Sequence, residues 1–177
     1  MAMKFLKALF LFCFFVAALI AFLPKKNLYY YAEEQLFKYK TVITNEQVDA
    51  GLFSLSLQHA DIYVEGIRAA KVMEATLGIY VLHNVLHLHQ IRLSGMAKNF
   101  LPTRIDSLTL SYDLWDPMQV HLDAKGEFGE AKGEILPLSN KMVIRLKPSK
   151  TMLRKYRSIL SRMKKAKNGE YSYEQRF

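Results

Sequence analysis

The sequence predicts a mainly β protein with an N-terminal transmembrane helix, a curved antiparallel sheet and one C-terminal amphipathic helix. Three observations carry that expectation. An apolar block opens the chain, two-residue alternation fills its middle, and helical spacing returns near its end. The chain divides accordingly into a membrane anchor with flanking lysines, residues 1–26, and a β-rich domain, residues 27–177. At 177 residues there is room for one domain of ordinary size beside the anchor.

The anchor comes first. From Phe5 to Leu23 only Lys7 interrupts an apolar stretch. At about 1.5 Å per residue this helix reaches roughly 28 Å, the hydrocarbon thickness of a bilayer. Lys4 and Lys7 flank one side, Lys25 and Lys26 the other, placed to snorkel to the two interfaces. A cleaved signal peptide is the rival reading, and it needs small residues at the first and third positions before the cut. Cutting after Ala21 sets Leu19 at the third position; cutting after Ala18 sets Val16 there and leaves an apolar stub. The retained anchor is the better reading. Lysines on both sides leave the positive-inside rule without a preference. The short N-terminal tail makes export of everything after Pro24 the simplest topology.

A second helical pattern follows from Asn27 to Lys40, with Leu28, Ala32, Leu36 and Tyr39 near helical spacing. Its three consecutive tyrosines, Tyr29, Tyr30 and Tyr31, suit the headgroup layer, where a ring with a polar tip is at home. The alternative is an ordinary helix packing on the sheet.

From Thr41 to Leu146 apolar residues alternate with polar ones, as in strands with one buried face. Phe53, Leu55 and Leu57 form one row; Ile62 and Val64 oppose Asp61, Tyr63 and Glu65. Met73, Ala75, Leu77, Ile79 and Val81 form another, as do Leu108, Leu110 and Tyr112, Val120 and Leu122, and Met142, Ile144 and Leu146. Val85 to Leu93 is apolar on both faces in its first half, as in a central strand. Turn residues separate the runs at Glu65-Gly66, Ser94-Gly95, Pro102, Asp116-Pro117 and Ser139-Asn140. Short strands at about ten-residue spacing, with no helices between them, indicate antiparallel pairing.

After Pro148 the period changes. Ser149 is placed to cap a helix whose stripe is Met152, Leu153, Tyr156, Ile159, Leu160 and Met163, and Asn168-Gly169 stops it. Tyr171 and Tyr173 then share a face, as in a returning last strand.

The formal charge of +9 belongs to that helix. Of 25 basic residues, eight (Lys150, Arg154, Lys155, Arg157, Arg162, Lys164, Lys165 and Lys167) lie between Ser149 and Lys167, where no acid occurs; 17 remain against 16 acidic residues elsewhere. Cations on an amphipathic helix attract anionic headgroups, each worth on the order of 1 kcal/mol near the surface. Lys150, Arg154, Lys155, Arg157, Arg162, Lys164 and Lys165 are therefore membrane-surface candidates, a reading compatible with sheet capping if the helix sits near the anchor. The alternative is a terminal helix capping the sheet with its charged face in water. No nucleic-acid motif accompanies the charge, so no nucleic-acid partner is expected.

Chemistry-bearing constellations are sparse. Cys13 is the one cysteine, and it lies in the apolar block, so neither an intramolecular disulfide nor a redox pair is available. His87 and His89 share a strand face, as zinc ligands do, but zinc needs a third ligand, and the candidates His83 and His121 lie at undiagnostic spacings. Asp113 and Asp116 flank Trp115 at a turn, where aspartate is expected for turn reasons. Gly126, Gly129 and Gly133 precede no helix start and read as a tight hairpin rather than a phosphate cradle. No catalytic residue, metal or cofactor is expected, and the domain reads as non-enzymatic.

The chain resembles the type II secretion system protein N family, within a wider group of AsmA-like membrane-anchored β proteins. The likeness is carried by the glycine-spaced hairpin (Gly126, Gly129, Gly133) leading into Glu134-Ile135-Leu136-Pro137-Leu138. Leu146-Lys147-Pro148-Ser149, the basic segment and Gly169-Glu170-Tyr171-Ser172-Tyr173-Glu174 extend it; Gly51 to Gly66 and the anchor match in kind. The resemblance implies a single-pass protein of the bacterial inner membrane with its domain in the periplasm. It also implies secretion-system inner-membrane proteins as partners, beside membrane lipids. An AsmA-like lipid-handling sheet is the alternative it allows.

Overall fold

The computed structural model describes residues 2–95 and 102–176. Helix α1 (Ala2–Phe22) is followed after Leu23-Pro24 by α2 (Lys25–Lys38). The strands come next: β1 (Thr41–Thr44), β2 (Gln47–Ala50), β3 (Ser54–Val64), β4 (Ile67–Ile79), β5 (His83–Leu93) and β6 (Arg104–Asp113). They continue as β7 (Val120–Gly126), β8 (Gly129–Leu136) and β9 (Lys141–Pro148). Short helices α3 (Lys150–Lys155) and α4 (Arg157–Leu160) precede β10 (Lys164–Lys165) and β11 (Tyr171–Arg176).

All pairings are antiparallel, in the order β1-β3-β4-β5-β6-β7-β8-β9-β11-β10, with β2 on the same edge of β3 as β1. Register explains the alternation. Leu57, Ala75, Leu88, Leu108, Ala124, Ala131 and Leu146 stand opposite one another across seven strands. The neighbouring row on that face is Leu55, Leu77, Leu86, Leu110, Leu122, Gly133 and Ile144. Between them, on the other face, run Ser56, Thr76, His87, Thr109, Asp123, Lys132 and Arg145. One face of the sheet is apolar and the other polar.

A line of broken pairing crosses this lattice. His59 in β3 and Gln90 in β5 have positive φ (59° and 52°), and Met73 between them is unpaired. Asp106 in β6 is the bulged residue against β7. Asn45 (φ 64°), which separates β1 from β2, prolongs the line to the sheet edge. At His59, Met73 and Gln90 one residue of each strand drops out of the pairing while the register on either side is unchanged, so the alternation of every strand slips by one together. The apolar face therefore passes from Leu55 and Leu57 to Ala60 and Ile62, from Ala75 to Val72, and from Leu88 to Ile91 without changing side. This unites two runs that read in sequence as separate strands into the single β3. It also corrects Met73: instead of joining the apolar row of β4, it lines a hollow of about 300 Å³ with Gln58, Glu74, His89 and Gln90.

The expected single C-terminal helix is broken. Ser149 Oγ accepts from Met152 N at 3.1 Å, the expected cap, but Tyr156 leaves helical geometry (φ −120°, ψ 38°) and divides α3 from α4. Lys164 and Lys165 then pair with Ser172 and Tyr171 as a strand. The break turns Met152 and Leu160 together onto Ala124, Ala131 and Leu146, where both are buried; Leu153 of the expected stripe is exposed. A straight helix would hold its stripe on one line, whereas the twisted sheet beneath calls for two short segments.

Candidate functional site

The anchor is joined to the sheet by a closed junction. Lys25, expected to snorkel outward, is 3% exposed, and its Nζ donates to the carbonyls of Ile20 (2.9 Å) and Ala21 (3.2 Å). These are last-turn carbonyls of α1, of which Ile20 O also accepts from Leu23 N at 3.3 Å, and a cation there opposes the negative end of the helix. Helix α2 packs along β1, β2 and β3. Tyr29 accordingly leaves the headgroup role: it is buried, and its hydroxyl donates to Glu46 Oε1 at 3.0 Å. Burial, followed by the bond to Glu46, pushes the Tyr29 pKa well above its ordinary value. Burial and then the Glu46 charge also raise that of Glu33. Tyr30 and Tyr31 are exposed on the outer side of α2.

This junction fixes which end of the sheet meets the anchor. Ala21, Leu23, Pro24, Lys25 and Lys26 line one hollow together with Ala50, Gly51 and Leu52 of the β2–β3 turn. The β4–β5, β6–β7 and β8–β9 turns lie at that same end, because Ser54 pairs with Gly78, His83 with Asp113, and Leu136 with Lys141.

The basic segment lies at the opposite corner. It begins after Pro148, where β9 has run away from the anchor end for about 26 Å at 3.3 Å per residue. Its strand β10 is the far edge of the sheet from β1. Lys150, Arg154, Lys155, Arg157, Arg162, Lys164 and Lys165 are all exposed. Lys165 stands 5.9 Å from the Tyr171 ring centroid. Lys164 and Lys165 in β10 lie nine strand steps from β1, while α3 and α4 carry Lys150, Arg154, Lys155 and Arg157 over β7–β9. The apolar side chains of α3 and α4 cover the sheet.

The histidines gather on the polar face without converging on a point. His87 Nδ1 lies 3.0 Å from Thr109 Oγ1, and the His87 and His89 rings stack at 6.4 Å. His83 Nδ1 is 2.6 Å from Asp113 Oδ1, and His121 Nε2 is 3.9 Å from Asp116 Oδ2. Among the described residues no group of three or more His, Cys, Asp or Glu side chains is placed to hold a metal ion. Beside them an open hollow of about 490 Å³ is lined by Thr109, Ser111, His121, Asp123, Lys132 and Arg145, among others. Its charges are matched across strands, with Lys132–Asp123 at 3.8 Å and Arg145–Glu134 at 2.8 Å.

Sequence reasoning missed one buried acid. Asp61, expected on a solvated face, is 7% exposed; Asn45 Nδ2 donates to its Oδ2 at 3.0 Å, and its Oδ1 has no protein partner. The signal was weak, since it takes the added edge strand β1 and the turn at Asn45 to cover Asp61.

No family model, curated protein or solved structure matches the chain. What is plain from sequence and structure together is a mainly β domain behind one N-terminal helix, Met3–Phe22, long and apolar enough to cross a membrane and unburied by the rest of the chain.

Proposed function

We propose that the protein is a non-enzymatic scaffold of the bacterial inner membrane, anchored by α1, with its sheet in the periplasm as an accessory to a type II secretion-like export apparatus. The observation that supports this reading best is the junction. Lys25 ties α2 to the last turn of α1, and Tyr29 ties α2 to the β1–β2 turn. A sheet fixed to its anchor at two points holds a defined pose above the bilayer, which a docking scaffold needs and a tethered soluble enzyme does not. In-membrane crosslinking is expected to recover inner-membrane secretion subunits; recovery of unrelated proteins alone would contradict the reading.

One observation favours an AsmA-like lipid-handling role as the second reading. Among the described residues only strand residues pack on the buried apolar cluster of β3–β5, and Leu57, Leu77, Leu86, Leu88 and Leu110 are only half-buried. Mass spectrometry of the detergent-extracted protein decides between the two: stoichiometric co-purified lipid supports the second reading, and its absence removes it.

A further inference from the structure

We infer that the anchor end of the sheet is a membrane-dipping rim, whose turns at residues 51–53, 80–82, 114–119 and 137–140 enter the interfacial layer of the same bilayer that α1 spans. The inference rests on α1 being a retained anchor, and it adds which part of the domain touches lipid and how the sheet stands.

Four turns that are far apart in sequence are brought to one end by antiparallel pairing, and that end is the one α1 abuts. Their composition is unlike that of ordinary turns. Among the described residues after α2, thirteen large apolar side chains are exposed, and nine of them lie in these four turns. They include Leu52, Tyr80, Leu82 and Met118, with Trp115 at 81% and Leu138 at 77% exposure. Turns are normally polar, because they run through water. A row of exposed apolar side chains marks an interaction surface, and Trp, Tyr and Leu beside an anchor are the types that settle at the headgroup level.

The rim's charges agree with shallow immersion. The two carboxylates of the Trp115 turn are engaged, Asp113 by His83 and Asp116 by Gln119 and His121. Lys26, Tyr30 and Tyr31 lie within the first two turns of α2, at the height of the interface. The opposite end differs: its exposed Tyr39, Val64 and Ile67 are interleaved with Lys40, Glu65 and Arg68, and Lys40 pairs with Glu65 at 3.2 Å. With the rim down, the strands stand upright. The basic segment is then carried about 26 Å above the bilayer surface by the length of β9, beyond the roughly 8–10 Å over which charges are felt in physiological salt.

Trp115 is the only tryptophan, so the native chain carries its own reporter. The full chain is reconstituted into phosphatidylcholine vesicles with and without chain-brominated phosphatidylcholine. Trp115 is expected to lose more than half its emission to the brominated chains and to resist aqueous iodide. A second reporter, Leu138→Trp in a Trp115→Phe background, is expected to do the same. Lys125→Trp in that background, at the far end, is expected to ignore bromine and be quenched by iodide. If the reporters at 115 and 138 behave as the one at 125 does, while Cys13 stays shielded from an impermeant maleimide, the rim is overturned and the anchor stands. If Cys13 reacts freely in intact vesicles, the anchor fails and the rim with it.

Discussion

The two halves of the apolar face are closed by different means. Over β7–β9, α3 and α4 lay Met152 and Leu160 onto Ala124, Ala131 and Leu146, leaving all five buried. Over β3–β6 the buried cluster is Ala60, Ala70, Ala75, Val72 and Ile91, three of them alanine, with Leu55 also buried in β3; among the described residues the neighbours packed on that cluster come from the same sheet. A lid buries large side chains fully. A single sheet shelters mainly small ones, and apart from Leu55 and Ile91 it leaves the large ones partly open. The line of broken pairing from His59 to the bulge at Asp106 runs through the half that no helix covers among the described residues, and a bulge bends its strand. The same alternating pattern thus yields a closed core on one side and an accessible apolar surface on the other.

That contrast sets the order of expected effects. Leu160→Ala removes a fully buried side chain from beneath the lid and is expected to cost about 2–5 kcal/mol in urea unfolding of the detergent-solubilised protein. Leu57→Ala, in the open half, is expected to cost about 1–2 kcal/mol, since Leu57 keeps part of its surface in water. Equal costs would mean that the first half is as closed as the second, and the lipid-handling reading would lose its support.

Gln90→Gly probes the broken pairing itself. A residue with φ 52° is strained unless it is glycine, so the change is expected to raise stability by up to about 1 kcal/mol. The same change at Gln58, which pairs regularly with Glu74, is expected to destabilise. If both destabilise alike, Gln90 carries no strain.

Tyr29 reports on the edge that joins sheet to anchor. Its pKa is raised in the folded chain, so folding favours the protonated hydroxyl. The stabilisation is whole below the ordinary tyrosine value of about 10 and is lost as pH rises above it. Alkaline titration is expected to destabilise the native chain more steeply than Tyr29→Phe, which itself costs about 0.5–1.5 kcal/mol through its lost hydrogen bond. Identical slopes would remove Tyr29 from the junction. The smallest effect is expected from Arg145→Gln on the solvated polar face, below about 1 kcal/mol and shrinking with added salt.

Much of this fold could be read from the sequence, and the failures share a cause. Alternation located β3 to β7 and β9 because each strand has one wet and one dry face, but not the glycine-spaced β8; Ser149 marked a real cap and Gly129 a real turn. Gly129 sits at φ 111° with the Lys147 carbonyl against it, a position only glycine fills. Alternation does not show that two runs out of phase belong to one strand joined across an unpaired residue, so β3 was split and Met73 misplaced. Helical spacing did not show the break at Tyr156, which lets both Met152 and Leu160 reach the sheet. The basic cluster was evident from composition, but its place was not, because only strand order shows that it spreads from the cover of β7–β9 to the β10 edge. The apolar turns were each visible, and pairing alone gathers them at one end.

The claim on which the rest hangs is that α1 stays attached and holds the domain at a bilayer. Intact-mass measurement of the protein recovered after alkaline carbonate extraction tests it most directly. The account predicts a membrane-retained chain whose mass includes residues from the start of α1 through the sheet. A soluble chain whose mass begins at or beyond Leu19 would contradict it.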